Sequence, residues 1–596
     1  MKHISIRVPW HDNKWSGRVC NCPTNNPFCM MLPNICKDKN IEKEENIASK
    51  EWDMLAVDEL PACKGENGGF MNEHSYKRKF THVYQYNKYD IPQRKLIPAT
   101  IDIPEYSFFG VPFRYLSKEN KDYIDERFPY FADDEKAPFI TGWTFGQKRQ
   151  YDILNWFRSN IVAGRSLVTF YCKNGNPIDE DSARIVIGLG EVSNVYPILE
   201  YESTINVKYP FWELMMSHTI RNDLKKSNGF LLPYQEYLDL DEMYIREKTG
   251  LSKSQAIRDI KLTLDKLGNS DKIFKELSYG CDYVSDYSML IILNAARICI
   301  ENVKKHGLVV GDWNRQLRWI DDKVAQVKSL IGPFPSFAEG LRTLGFNYAY
   351  LIEMDLRNNG YCDVKDNPWE AFDKLVNGRI NISDAVYNAE LPKYKKTWIS
   401  TPDDAKQVLE LLSRFEIDAD VMRWWYEDPD WYDKLIANPY LLSEESTFGE
   451  VTPEMVDLGV IADSEIQGYN TPKEPSCIDT KIDERRIRAY AVHKLITQSL
   501  DGDTLMSIKE MTDFIDEVLS RDDLKLPVLF FKTYEEFMNE KLHIINDNAL
   551  QLDDFYDMEF YLRNIFKART ERDVKIPLKE DWSTRVKSVD GYDEDD

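Results

Sequence analysis

Short apolar runs of strand length occupy the first half of the chain, and helical spacing takes over after it. Arg165-Ser-Leu-Val-Thr-Phe-Tyr-Cys172 and Arg184-Ile-Val-Ile-Gly-Leu-Gly-Glu-Val192 each read as a strand, and the polar insert between them, with Gly175 and Pro177, supplies a turn. Tyr196 to Ser203 is a third candidate strand, so residues 140–240 are expected to form a small antiparallel sheet domain. Residues 250–400 read as a helical domain. Ser252 caps a helix carrying Ile257, Ile260, Leu264 and Leu267, Ser285 to Lys305 forms a buried helix stopping near Gly307, and Gly332-Pro-Phe-Pro335 breaks the chain before a helix from Phe337 to Leu344. Residues 401–590 open on Thr401-Pro402-Asp403-Asp404, which offers a capping hydroxyl, a first-turn proline and acids at the positive end of the helix dipole. Val408, Leu411, Leu412 and Phe415 form its apolar stripe. Asp418 caps a helix from Ala419 to Tyr426, and later helices cover Asp483 to Leu500, Ser507 to Leu519 and Asp553 to Arg569, before an acidic tail from Asp590 to Asp596.

Residues 1–135 lack either period. They are rich in Pro, Asn and aromatic residues, hold five of the ten cysteines, and are expected to be an irregular extension that needs a neighbour or a cross-link. The fold class expected is therefore α+β and predominantly helical: a Cys-containing N-terminal segment, a small antiparallel sheet domain, then a helical array with helix-hairpin-helix-like elements. No internal repeat is present.

At 596 residues with 43% hydrophobic content, the chain is long enough for several cores. A formal net charge of −24 argues against a surface coated in phosphate-binding lysines, although a local basic groove is compatible with it. No run reaches the roughly 18 apolar residues that span a bilayer, and the N-terminus lacks the apolar run of a signal peptide. A cytoplasmic protein without a membrane partner is expected, its cysteines reduced thiols or metal ligands.

No G-x-x-x-x-G-K-[ST] loop stands in these residues, and Gly188-Leu-Gly190 lies in a strand pattern with no lysine after it. H-E-x-x-H, G-x-S-x-G and kinase signatures are also absent from the sequence. No ATPase activity is expected from these residues alone, and ATP with magnesium enters only through a motor in further sequence or on another chain.

Three segments of the C-terminal third carry a family resemblance. Ala437-Asn-Pro-Tyr-Leu-Leu-Ser-Glu444, Met455-Val-Asp-Leu-Gly-Val-Ile-Ala-Asp463 and Ile482-Asp-Glu-Arg-Arg-Ile-Arg-Ala489 resemble the pre-motor region of RecD-like superfamily-one DNA helicases. Ser5-Ile-Arg-Val-Pro-Trp-His-Asp12, Gly164-Arg-Ser-Leu-Val168 and Gly332-Pro-Phe-Pro335 resemble the N-terminal extension of one branch of that family. The resemblance implies helical hairpins touching the DNA backbone ahead of a motor that moves 5′ to 3′. The chain departs from that pattern between Arg414 and Ala419, where the hairpin glycine is missing and packing is the expected use.

Cys20, Cys29, Cys36 and Cys63 are the preferred ligands for a structural zinc or an iron–sulfur cluster, with Cys22 an alternate and His11 an outside candidate; scattered free thiols are the other reading. Lys148, Arg149, Arg158, Arg165 and Lys173, interleaved with Trp143, Phe145, Trp156 and Tyr171, either grip a nucleic-acid backbone or form an ordinary solvated rim beside Asp179, Glu180 and Asp181. Arg485, Arg486 and Arg488 offer a phosphate-facing patch or salt bridges. DNA-binding candidates are thus Lys148, Arg149, Arg165, Arg485, Arg486 and Arg488. Asp321-Asp322 and Asp553-Asp554 lack the flanking residues of a metal-dependent nuclease, and His218, on an expected helix with Met215 and Met216, is read as packed. The function expected is a non-catalytic module that positions DNA or a partner for a helicase motor. A stand-alone interaction subunit, for example of a phage-defence complex, is the alternative.

Overall fold

The computed structural model describes residues 2–571 apart from segments 27–34, 37–38, 81–95, 118–119, 121–123, 125–144, 174–183, 265–269, 447–450, 462–469 and 521–523 and positions 205, 207, 224, 279, 384, 471 and 501. The fold is α+β and predominantly helical. It divides into two compact units, Met1–Asp479 and Thr480–Asp596.

The first unit is built on a seven-stranded sheet of β1 (His3–Arg7), β2 (Ser107–Gly110), β3 (Leu167–Cys172), β4 (Ile185–Val195), β5 (Leu214–His218), β6 (Gly229–Leu231) and β7 (Cys281–Val284). Its order is β7-β1-β3-β4-β5-β2, with β6 also on β4. β1 runs parallel to β3, and the other pairs are antiparallel. The sheet thus extends well beyond residues 140–240 and is mixed. Its second strand from one edge, β1, comes from the stretch expected to be irregular. The period-two signal is there, but it is short: Ile4 and Ile6 point to one face and His3 and Ser5 to the other, all four buried. The polar pair is satisfied inside the sheet, where the Leu167 N–H donates to His3 Nδ1 at 2.9 Å and Ser5 Oγ donates to the Glu276 carbonyl at 2.7 Å.

β3 and β4 lie where the pattern put them. Between Tyr196 and Ser203 only Glu200–Tyr201 is strand, paired with Tyr209–Pro210. His218 ends a strand rather than riding a helix; it is fully buried, Nε2 lies 2.9 Å from the Phe70 carbonyl, and burial pulls its pKa to about 3. The helix capped by Ser252 stops at Ile260, before Leu264, and Leu267 lies outside the described residues. Leu262 is drawn off the helix by the sheet: its carbonyl accepts from the Val186 N–H at 2.9 Å, and its N–H donates to Tyr234 Oη at 3.0 Å.

Helix α1 (Gln147–Ser159) and helix α2 (Asp286–His306) belong to the same core. Ser285 caps α2 by accepting from the Ser288 N–H, and Gly307 ends it at φ +61°. α3 (Trp313–Leu330) packs along α2. A separate helical core runs from Phe334 to Leu409. There α4 (Asp403–Leu412) begins without the expected cap, because the Thr401 hydroxyl donates back to the Thr397 carbonyl. α5 (Ala419–Tyr426) is capped by Asp418. The connection between them is covered: Arg414 is buried and donates to the Asn470 carbonyl, and a Cβ on Gly459 would come within 2.5 Å of the Phe415 ring.

The second unit holds α6 (Glu484–Leu500), α7 (Ile508–Ser520), a three-stranded sheet of β8 (Leu505–Ser507), β9 (Leu542–Ile545) and β10 (Ala549–Leu552), and α8 (Asp553–Glu571). The β9–β10 turn carries Asn546 and Asp547 at φ +50° and +57°, the left-handed conformations a tight hairpin demands. Ile487, Met511, Ile515, Phe530 and Leu550 lie in its core.

A candidate anion site at one end of the sheet

Strand register gathers charge at one end of β1, β3 and β4. Arg7 is the partner of Tyr171, and Lys173 lies two residues beyond Tyr171 on the same face. Cys172 pairs with Ile185, so continuing the register one residue sets Arg184 opposite Lys173. Asp282 pairs with Ser5, again on the Arg7 face. Three cations, one phenol and one carboxylate therefore share a face.

The charges are not evenly matched there. Asp282 is buried and held by Arg114 Nη2 at 2.8 Å. Burial raises its pKa to about 7, against the opposing pull of the Arg114 charge and the Tyr283 N–H. Arg184 is 6% exposed and lies 3.5 Å from the centre of the Phe274 ring, yet its buried Nε and Nη1 have no hydrogen-bond partner among the described residues. Burial lowers its pKa. Lys173 is lowered as well, by burial and then by the Arg184 and Arg7 charges. Cations crowded together and half out of water are stabilised by an incoming anion, which restores both charge balance and hydrogen bonds. Sequence reading found Lys173 and Tyr171. It missed Arg7, Arg184 and Asp282, because only strand pairing brings them alongside.

The predicted DNA-binding residues do not form one patch. Lys148 is exposed on α1, whereas Arg149 is buried 4.2 Å from the Phe145 ring centre. Arg158 donates to the Tyr196 carbonyl at 2.9 Å. Exposed Arg165 and half-buried Lys173 flank opposite ends of β3, about 26 Å apart at the rise of a strand. In the second unit Arg485 clasps Asp483 at 2.8 and 2.9 Å. Arg486 and Arg488 are buried; the first donates to the Lys481 carbonyl, the second to the Phe537 carbonyl and Glu540. These two are turned into the fold, correcting the reading of a phosphate-facing arginine turn. Trp143, Asp179, Glu180, Asp181 and the acidic tail lie outside the described residues.

Of the cysteines, Cys20 and Cys63 are buried, Cys22 and Cys36 exposed, and Cys29 outside the described residues. Among the described residues, the trio with metal-ligand atoms all within 4.8 Å of one another is Glu474, Cys477 and Asp479, two of them exposed carboxylates.

No family model matches the chain, and no solved structure matches it. It is similar to the uncharacterized protein MJ1519 of Methanocaldococcus jannaschii, at 20% identity over 580 residues. That alignment covers 91% of this chain and 42% of the relative, so the chain spans about two-fifths of that protein's length.

Proposed function

We propose that this chain is a non-catalytic module that holds single-stranded DNA for a RecD-like helicase motor located in further sequence or on a partner chain. The observation that carries the reading is Arg184, a buried guanidinium whose Nε and Nη1 have no hydrogen-bond partner among the described residues, facing Lys173 across neighbouring strands. Phosphodiesters supply the missing acceptor, and a planar guanidinium is the side chain best shaped to take one. The similarity to a relative more than twice as long suits a module within a larger machine.

Fluorescence anisotropy of labelled oligo(dT) against salt tests it. Neutralising phosphates with Arg7, Lys173 and Arg184 predicts a slope of log K on log salt near about −2. The paired change Arg184→Gln with Lys173→Gln should weaken binding at least about tenfold and flatten that slope. Absence of salt-dependent binding by the unaltered chain, or indifference to the paired change, sinks the reading.

A second reading, an interaction subunit without DNA affinity, is favoured by α8. None of its described side chains is buried, and Met558, Phe560, Tyr561 and Phe566 are all more than half exposed. The same titration separates the two, since this reading predicts no oligonucleotide binding.

A further inference from the structure

Helix α8 carries apolar residues at the spacing of a stripe that meets a core. Met558, Tyr561, Leu562, Ile565 and Phe566 fall at i, i+3, i+4, i+7 and i+8, which at roughly 3.6 residues per turn sweeps about 140° of the helix surface. Here the stripe faces water instead: Met558, Tyr561, Leu562 and Phe566 are between 47% and 65% exposed. The side by which α8 holds its own unit is a different one. Tyr556 stacks on His543 at 4.1 Å, His543 Nε2 lies 2.5 Å from Asp553, and Gln551 Nε2 donates to Glu559 at 3.4 Å. Tyr556 and Glu559 are centred about 120° around the helix from the stripe. The helix is docked by one side and leaves its apolar stripe without a core among the described residues.

The two ends of the stripe define what fits it. Asp554 lies four residues before Met558 and Arg569 four residues after Ile565, so both stand on the same face, about 22 Å apart along the axis. Both are exposed. A second copy laid antiparallel sets the Asp554 of each helix against the Arg569 of the other, with Met558, Leu562 and Ile565 meeting between them. A parallel copy would set acid on acid and base on base. The antiparallel arrangement is self-complementary about a two-fold axis, the commonest symmetry of homo-oligomers. The area agrees. At about 150–250 Å² for a large side chain, half exposed, the stripe holds on the order of 500 Å² in water per copy. Two copies together remove about 1,000 Å², the size at which a specific interface begins.

We infer that α8 is a homodimerisation surface: two copies of this chain pair through antiparallel α8 helices, and an Asp554–Arg569 ion pair closes the apolar stripe at each end. The inference rests on α8 alone and holds whether or not the chain binds DNA, so sedimentation and the oligonucleotide titration fail separately.

Sedimentation velocity of the unaltered chain should show a dimer forming as concentration rises to on the order of 100 μM, as suits an interface at the small end of the range. Leu562→Asp should leave the chain monomeric. Its melting temperature in dilute solution should stay nearly unchanged, because Leu562 supports no core of its own unit. Arg569→Asp and Asp554→Arg should each weaken the dimer about tenfold by setting like charges together, and the two combined should restore it. A monomer at that concentration overturns the inference and leaves the stripe to another chain or to further sequence. So does a dimer that survives Leu562→Asp, or one that neither charge reversal weakens on its own.

Discussion

Asp282 is a buried carboxyl whose pKa stands near about 7 rather than 3.8, first because of burial. The folded state therefore binds its proton more tightly than the unfolded chain does. Acid favours folding at this position, and the contribution is lost as pH rises from about 4 to about 7, a change on the order of a few kcal/mol. Asp282→Asn removes that titration. Melting temperatures taken across the window should show the unaltered chain losing stability relative to the variant as pH rises; parallel profiles would refute the assignment. His218, buried and held at about 3, stays neutral in the fold while the unfolded imidazole protonates below about 6.5, so it favours folding as pH rises over the same window; present in both chains, it cancels in the comparison with Asp282→Asn.

At the level of elements, the glycines of β4 show what a one-dimensional pattern conceals. Gly188 and Gly190 lie in the strand where the pattern put them, and their role there, to let β6 and Ile220 approach, is invisible in sequence. A Cβ on Gly188 would come within 2.3 Å of the Phe230 carbonyl, and one on Gly190 within 2.6 Å of Ile220. Gly188→Ala is expected to cost about 2–4 kcal/mol, measurable by denaturant unfolding. Ser285→Ala, which removes the cap of α2, should cost about 1 kcal/mol. Helices with long apolar stripes and local caps, such as α2 and α5, were legible because their determinants lie within a few residues. β1 was not, since five residues show too few alternations to stand out and its partners lie more than 160 and 270 positions away. The anion face was half legible for the same reason: Lys173 and Tyr171 sit in one run, while Arg7 and Arg184 join them only through register. The arginines of α6 misled because burial and pairing of a cation leave no mark in local sequence.

Across the whole molecule, Met1–Asp479 and Thr480–Asp596 have separate cores, and cores that share little melt separately. Calorimetry of the full chain should resolve two transitions. Gly188→Ala should lower one and leave the other in place. Met511→Ala, at a fully buried position of the second unit, should do the reverse at a cost of about 2–5 kcal/mol. A single transition moved by both substitutions would show the two units to be energetically one.

The position of β1 between β3 and β7 also constrains how the protein is born. Residues His3–Arg7 leave the ribosome long before their partners and cannot complete their ladder until Cys281–Val284 has emerged. At roughly 5–20 residues per second, the nascent strand waits from about a quarter of a minute to a minute with at least one edge unsatisfied. Translation speed over that interval, and a chaperone able to shield a short apolar strand, should therefore govern the yield of native protein.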